Sequence, residues 1–157
     1  MNYLGLDCST LAVHGVLIAP DESIVKKYKW GSKKKSFEER FPEILLEFSE
    51  ELGRITVIDK AAVEAAIFVQ NHKVAITLGY VVGAVWLSLL QAGIDTVKID
   101  NRQWKKVVLN KGNATKQDML NQMKNVRNMP TSASGANSQG ENKTVDRDVF
   151  DNILGFD

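Results

Sequence analysis

The chain opens on an apolar run, Tyr3-Leu4-Gly5-Leu6-Asp7-Cys8, followed by small polar residues at Ser9-Thr10 and a second run, Ala12-Val13-His14-Gly15-Val16-Leu17-Ile18. Two such runs joined by turn residues predict a buried hairpin. Pro20-Asp21-Glu22-Ser23 predicts the next turn, and Ile24-Val25-Lys26-Lys27-Tyr28-Lys29-Trp30 alternates as a third antiparallel strand, completing a meander. The pattern then changes period. Ser36-Phe37-Glu38-Glu39 has the form of a capping box, and Phe37, Phe41, Leu45, Phe48 and Leu52 recur at helical spacing up to a stop signal at Gly53. That stripe is expected to pack on the sheet as core.

A further strand is expected between Val57 and Glu64. The longest apolar helix pattern covers residues 71–92, with Val74, Leu78, Val81, Val82, Val85, Trp86, Leu89 and Leu90 almost encircling the axis, so it must be covered on more than one side. Gly79 and Gly83 share a face of it, where another backbone can come close. Ile94-Asp95-Thr96-Val97-Lys98-Ile99 reads as a strand after the turn at Gly93, and strand, helix, strand implies a right-handed parallel crossover. The fold class expected is therefore α/β, with a mixed five-stranded sheet flanked by helices. Asp100-Asn101-Arg102-Gln103 resembles a second capping box, opening a short basic helix with Trp104, Lys105 and Lys106. Beyond a turn at Lys111-Gly112-Asn113, a helix is expected from about Thr115 to Arg127 with Met119, Leu120 and Met123 on one side. Residues 130–143, rich in Ser, Gly and Asn, read as a flexible loop, and residues 145–154 as a short amphipathic helix.

Length and composition narrow the class. The 157 residues fit a single domain with its own core, and the apolar and charged shares, 44% and 25%, are those of a globular chain. No stretch is expected to span a membrane, Met1 leads straight into a strand rather than a signal peptide, and the single Cys8 excludes an internal disulfide. A cytoplasmic location follows as an expectation. The net charge of +1 conceals an early cluster, Lys26, Lys27, Lys29, Lys33, Lys34 and Lys35, and a later one, Lys105, Lys106, Lys111, Lys116, Lys124 and Arg127. Such patches read either as phosphate footprints or as solvated surface.

The chemistry begins with Asp7. A carboxylate at the end of a buried strand costs several kcal/mol, roughly, unless it is paired, hydrogen-bonded or metal-bound. Glu64 ends an apolar run in the same way, and Asp148 and Asp151, three apart, share a face of the last helix. Those two aspartates also suit helix capping and solvent exposure. If all four carboxylates converge, cations must hold them, and hard oxygen donors select magnesium or manganese. A pair of such ions suits phosphodiester hydrolysis. His14 and His72 read as structural, and Cys8 as a small buried residue rather than a nucleophile.

Taken in order, Gly5-Leu6-Asp7-Cys8-Ser9-Thr10, Val63-Glu64, Leu78-Gly79 with Gly83, Arg102-Gln103-Trp104-Lys105, Gly112-Asn113-Ala114-Thr115-Lys116 and Asp148-Val149-Phe150-Asp151 resemble the motifs of the RuvC family of Holliday junction resolvases, within the ribonuclease H-like superfamily. The resemblance covers nearly the whole chain. It implies a metal-dependent endodeoxyribonuclease that resolves four-way junctions by paired cuts, with other branched DNA such as forks and flaps as further candidate substrates. Asp7, Glu64, Asp148 and Asp151 would bind two Mg2+ ions, with Mn2+ able to substitute. Lys116 would join the catalytic set, Lys105 and Lys116 would lie near the scissile phosphate or the DNA backbone, and Phe68 would stack on an unpaired base, although it stands one place from the family position. A homodimer with no membrane association is implied. The long 130–143 segment and the short final helix resemble phage-encoded members. Two other readings stay open: a branched-DNA-binding protein of the same fold without cleavage, and a fragment of an actin-like or sugar-kinase ATPase fold.

Overall fold

The structure is a computed structural model, describing residues 1–55, 57–65, 71–115, 117, 118, 121 and 122. The chain divides into two compact units, residues 1–100 and 101–157.

In the first unit, β1 (Tyr3–Cys8), β2 (Ala12–Ile18) and β3 (Ile24–Gly31) form the expected meander, and β4 (Lys60–Glu64) and β5 (Asp95–Ile99) add to it in parallel. The sheet order is β3-β2-β1-β4-β5, so the acidic strand β1 is central. Strand alternation turns Leu4, Leu6, Val13, Leu17, Tyr28, Trp30, Ala61 and Val63 to one face, where all are buried. Two helices close that face. In α1 (Phe37–Leu52), Ser36 caps as predicted: its hydroxyl accepts from the Glu39 amide at 3.3 Å. The Glu39 carboxylate reaches back to the Ser36 side chain, whose hydroxyl donates to it at 2.9 Å. Ile44, Phe48 and Leu52 are its buried residues, with Phe37, Phe41 and Leu45 packed at the margin. Trp30 is the core's largest buried side chain, edge-on to Phe48 at 4.9 Å, and its Nε1–H donates to Glu51 at 2.8 Å. Gly15 exists to admit it, since a Cβ there would meet the Trp30 ring at 2.9 Å.

The helix α2 (His72–Gln91) makes the crossover from β4 to β5, and its cap is Asn71, whose side chain accepts from the Lys73 and Val74 amides at 3.0 and 3.3 Å. Against expectation, α2 is long and apolar enough by length and composition to cross a membrane, with a mean hydropathy of 1.8. Its apolar residues divide between two surfaces. Val81, Val82, Val85 and Leu89 are buried in the core, while Ile76, Tyr80, Gly83, Leu87 and Leu90 are exposed. The exposed set recurs at intervals of four, three, four and three, a seam of the kind that two helices share.

In the second unit, α3 (Asn101–Leu109) is followed by a turn at Gly112-Asn113. Thr115 and Asp118 then cap each other: the Thr115 amide donates to the Asp118 carboxylate at 2.9 Å, and the Asp118 amide donates to Thr115 Oγ1 at 3.2 Å. The expected stripe of Met119, Leu120 and Met123, the 130–143 loop and the terminal helix lie outside the described residues.

Candidate active site

The β1–β4 register pairs Leu6 with Val63, so one step further along these parallel strands stand Asp7 and Glu64. Adjacent strands run about 4.8 Å apart. Because Leu4 and Leu6 face the core, as do Ala61 and Val63, alternation turns both carboxylates to the opposite face of the sheet. The sequence thus brings together two of its predicted acids by placing each at the end of an apolar run, and the parallel pairing does the rest.

The backbone around them is tied down. Ser9 Oγ donates to the Ala12 carbonyl at 2.9 Å and accepts from the Ala12 amide at 3.1 Å, closing the β1–β2 turn. Arg40 Nε of α1 donates to the Thr10 carbonyl at 3.3 Å. On the other side, the Ala65 amide donates to the Ile99 carbonyl at 2.8 Å, carrying the β4–β5 ladder beyond Glu64. Asp7 is exposed and Glu64 half-buried.

Cys8 senses both acids. Its thiol is pushed up from an ordinary 9.0 to about 12, first by burial, then by the Asp7 charge and then by the Glu64 charge. This agrees with Cys8 as an inert packing residue. Cys8 is half-buried at the margin of the core, and in metal-free native protein it is expected to react with an alkylating agent at pH 8 more slowly than in the unfolded chain, as mass spectrometry would show; equal labelling in both states would contradict the raised thiol. The sign for stability follows from the raised value: the protonated thiol favours the fold fully below about pH 9, and that contribution fades as pH climbs toward about 12.

The pair of carboxylates is a hard oxygen donor set, which fits magnesium or manganese better than a softer metal. Among the described residues no group of three acidic, histidine or cysteine side chains comes together as a metal site. Asp148 and Asp151 lie outside the described residues, as do Lys116 and Phe68. Lys105 lies in α3, its ammonium 5.8 Å from the centre of the Trp104 ring.

Asp7, expected at the end of a buried strand, is instead open to solvent, so its charge carries little of the expected burial cost. His14 is exposed rather than structural, and its Cα partner across the β1–β2 ladder is Asp7. His72 is likewise exposed, at the start of α2. Only register could have exposed the His14 relation, and register is not a local property of the sequence.

A family model described as crossover junction endodeoxyribonuclease RuvC matches residues 30–138. Among the solved structures similar to this chain are two of RuvC. The T. thermophilus RuvC in complex with Holliday junction substrate has a TM-score of 0.67 and 21% identity, over 80% of this chain and 79% of that one. A second Thermus thermophilus RuvC structure has a TM-score of 0.65 and 19% identity, over 87% and 86% of the two chains. No curated protein sequence matches significantly. The likeness establishes the fold as ribonuclease H-like. The matched model spans well over half of the sequence, and so the chain belongs to the RuvC family and is an enzyme of the crossover junction endodeoxyribonuclease class.

Proposed function

We propose that this protein resolves four-way DNA junctions by metal-dependent hydrolysis of paired phosphodiester bonds, and that it acts as a homodimer. The observation that carries the reading is the juxtaposition of Asp7 and Glu64 on one sheet face in a chain of this family. In the reading these two, with Asp148 and Asp151, hold two Mg2+ ions, for which Mn2+ substitutes. When bound, the ions supply an activated water and offset charge on the departing oxygen. The chain's own part is to orient and to balance charge. Lys116 offsets negative charge on the scissile phosphate, Lys105 contacts the backbone, and Phe68 stacks on an unpaired base near the junction centre. Forks and flaps belong to the same substrate class, since they also present a branch. A phage-type membership rests on the sequence alone, chiefly on the long 130–143 segment.

Two cuts on strands of like polarity need two sites, and a two-fold pair is the commonest way to present them. The exposed seam on α2 supports that assembly, and in this reading a second copy of the chain covers it. The test is incubation of the protein with an end-labelled four-way junction, with Mg2+ and with a chelator. Symmetric nicks that need Mg2+ are expected; binding without scission at any Mg2+ concentration would refute the catalytic reading and leave a branched-DNA-binding protein.

A further inference from the structure

The sheet face that bears the two carboxylates continues across β2 and β3, and there its charge reverses. The registers pair Asp7 with His14 and His14 with Lys29, so Glu64, Asp7, His14 and Lys29 form a row over four adjacent strands. Lys27 pairs with Val16 and lies on the same face as Lys29, by strand alternation. Both lysines are exposed, and neither they nor Lys33 have an ion-pair partner among the described residues. Lys26, their neighbour, turns the other way: it pairs with Glu51 of α1 at 3.1 Å and lies 4.6 Å over the Tyr28 ring. One strand thus neutralises its core-side lysine and leaves its outer lysines unpaired.

The row opens into a cleft of about 640 Å³ lined by Ser9, His14, Lys29, Ser32, Lys33 and Glu47. The acid in its lining, Glu47, is engaged by the Gly31 amide at 3.3 Å, and the Ser32 hydroxyl donates to Glu43 at 2.5 Å. Strand spacing sets His14 about 5 Å and Lys29 about 10 Å from the Asp7 position, before the reach of the lysine stem is added. A hydrogen-bonding imidazole and then lysine ammonium groups at increasing distance from the carboxylates suit a polyanion whose charges repeat, and the continuity of the row with the candidate active site favours the enzyme's own DNA as that polyanion.

We propose that His14, Lys27, Lys29 and Lys33 form a phosphate track, along which one duplex arm of the substrate leaves the Asp7 and Glu64 site. The inference rests on the junction-resolving reading. The track positions DNA by its backbone and carries no base specificity.

The test is the salt dependence of binding, read by fluorescence anisotropy with a labelled four-way junction in a chelator. Each phosphate contact contributes about 0.9 to the slope of log affinity against log salt. The triple variant Lys27→Gln, Lys29→Gln, Lys33→Gln should therefore lose roughly 2 to 3 units of slope and bind about tenfold or more weakly at moderate salt. Lys26→Gln, on the other side of the same strand, should keep the wild-type slope. Unchanged melting of the triple variant would establish that the fold is intact. A slope unaffected by the triple substitution, or lowered as much per lysine by Lys26→Gln, overturns the track. Failure of the underlying reading shows separately, as a wild-type protein that neither binds nor cuts the junction.

Discussion

Asp7→Asn is expected to abolish strand scission in Mg2+ while leaving the fold and the junction affinity close to wild type. Asparagine keeps the volume of aspartate and removes its charge. The side chain it replaces is exposed, on the opposite sheet face from Leu4 and Leu6, so the core does not register the change. What is lost is one of the two carboxylates that the β1–β4 register brings together. Removing a ligand of a hydrolytic metal site costs several kcal/mol of transition-state charge stabilisation, and about 4 kcal/mol is already a thousandfold in rate. Binding behaves differently because it rests on lysine contacts to phosphate. Quantifying cleaved junction on a denaturing gel, beside a binding titration of the same variant, separates the two. Cleavage by Asp7→Asn within tenfold of wild type would sink the proposed site.

Gly83→Leu should have the second largest effect, and it should act on assembly rather than on folding. A Cβ at Gly83 would meet nothing within 4 Å, so a single protomer has room for the leucine. In a helix interior, replacing glycine with leucine favours the helix by roughly 0.5 to 1 kcal/mol. The isolated fold is therefore expected to be as stable as before or slightly more so. A partner helix packed on the seam of Ile76, Tyr80, Gly83, Leu87 and Leu90 would be pushed away from its closest point of approach. Overpacking of this kind costs about 1 to 3 kcal/mol, which corresponds to a dimer weakened by roughly fivefold to somewhat over a hundredfold. Sedimentation velocity should show the variant dissociating at concentrations where the parent is paired, and paired cutting should give way to single nicks. A parent protein that sediments as a monomer at micromolar concentration, with and without junction DNA, would remove the dimer from the account.

Most of the fold was legible because its signals are local. The β1–β2 turn, the Ser36 capping box and the Asn71 start of α2 each follow from residues close together in sequence, and the parallel step from β4 to β5 follows from the order strand, helix, strand. What escaped was set by distant partners. The start of β4 is one example: the Asp59 amide donates to the Asn2 carbonyl at 3.0 Å, and the Asp59 carboxylate accepts from the Asn2 amide at 2.5 Å. Ile44 was absent from the expected α1 stripe yet is fully buried, because α1 meets both the sheet and α2 and so buries a wider arc. Asp7 and Glu64 could be chosen as candidates one by one, whereas their adjacency, and the place of His14 beside them, depended on register. Similarly, the lysine cluster of β3 looked uniform until Glu51 of α1 was found to claim Lys26 alone.

The central position of β1 also governs the order in which the site can come into being. Its pairing with β2 closes only a short turn, and β3 joins through another, so the meander can nucleate early from local encounters. Pairing with β4 instead brings Tyr3 against Lys60 and must close a loop that contains the rest of the meander and all of α1. The ladder that sets Glu64 beside Asp7 is thus the entropically slow one. A chain arrested at the meander would display Asp7 without its partner, so the emergence of the acidic pair during refolding reports completion of the sheet rather than its beginning.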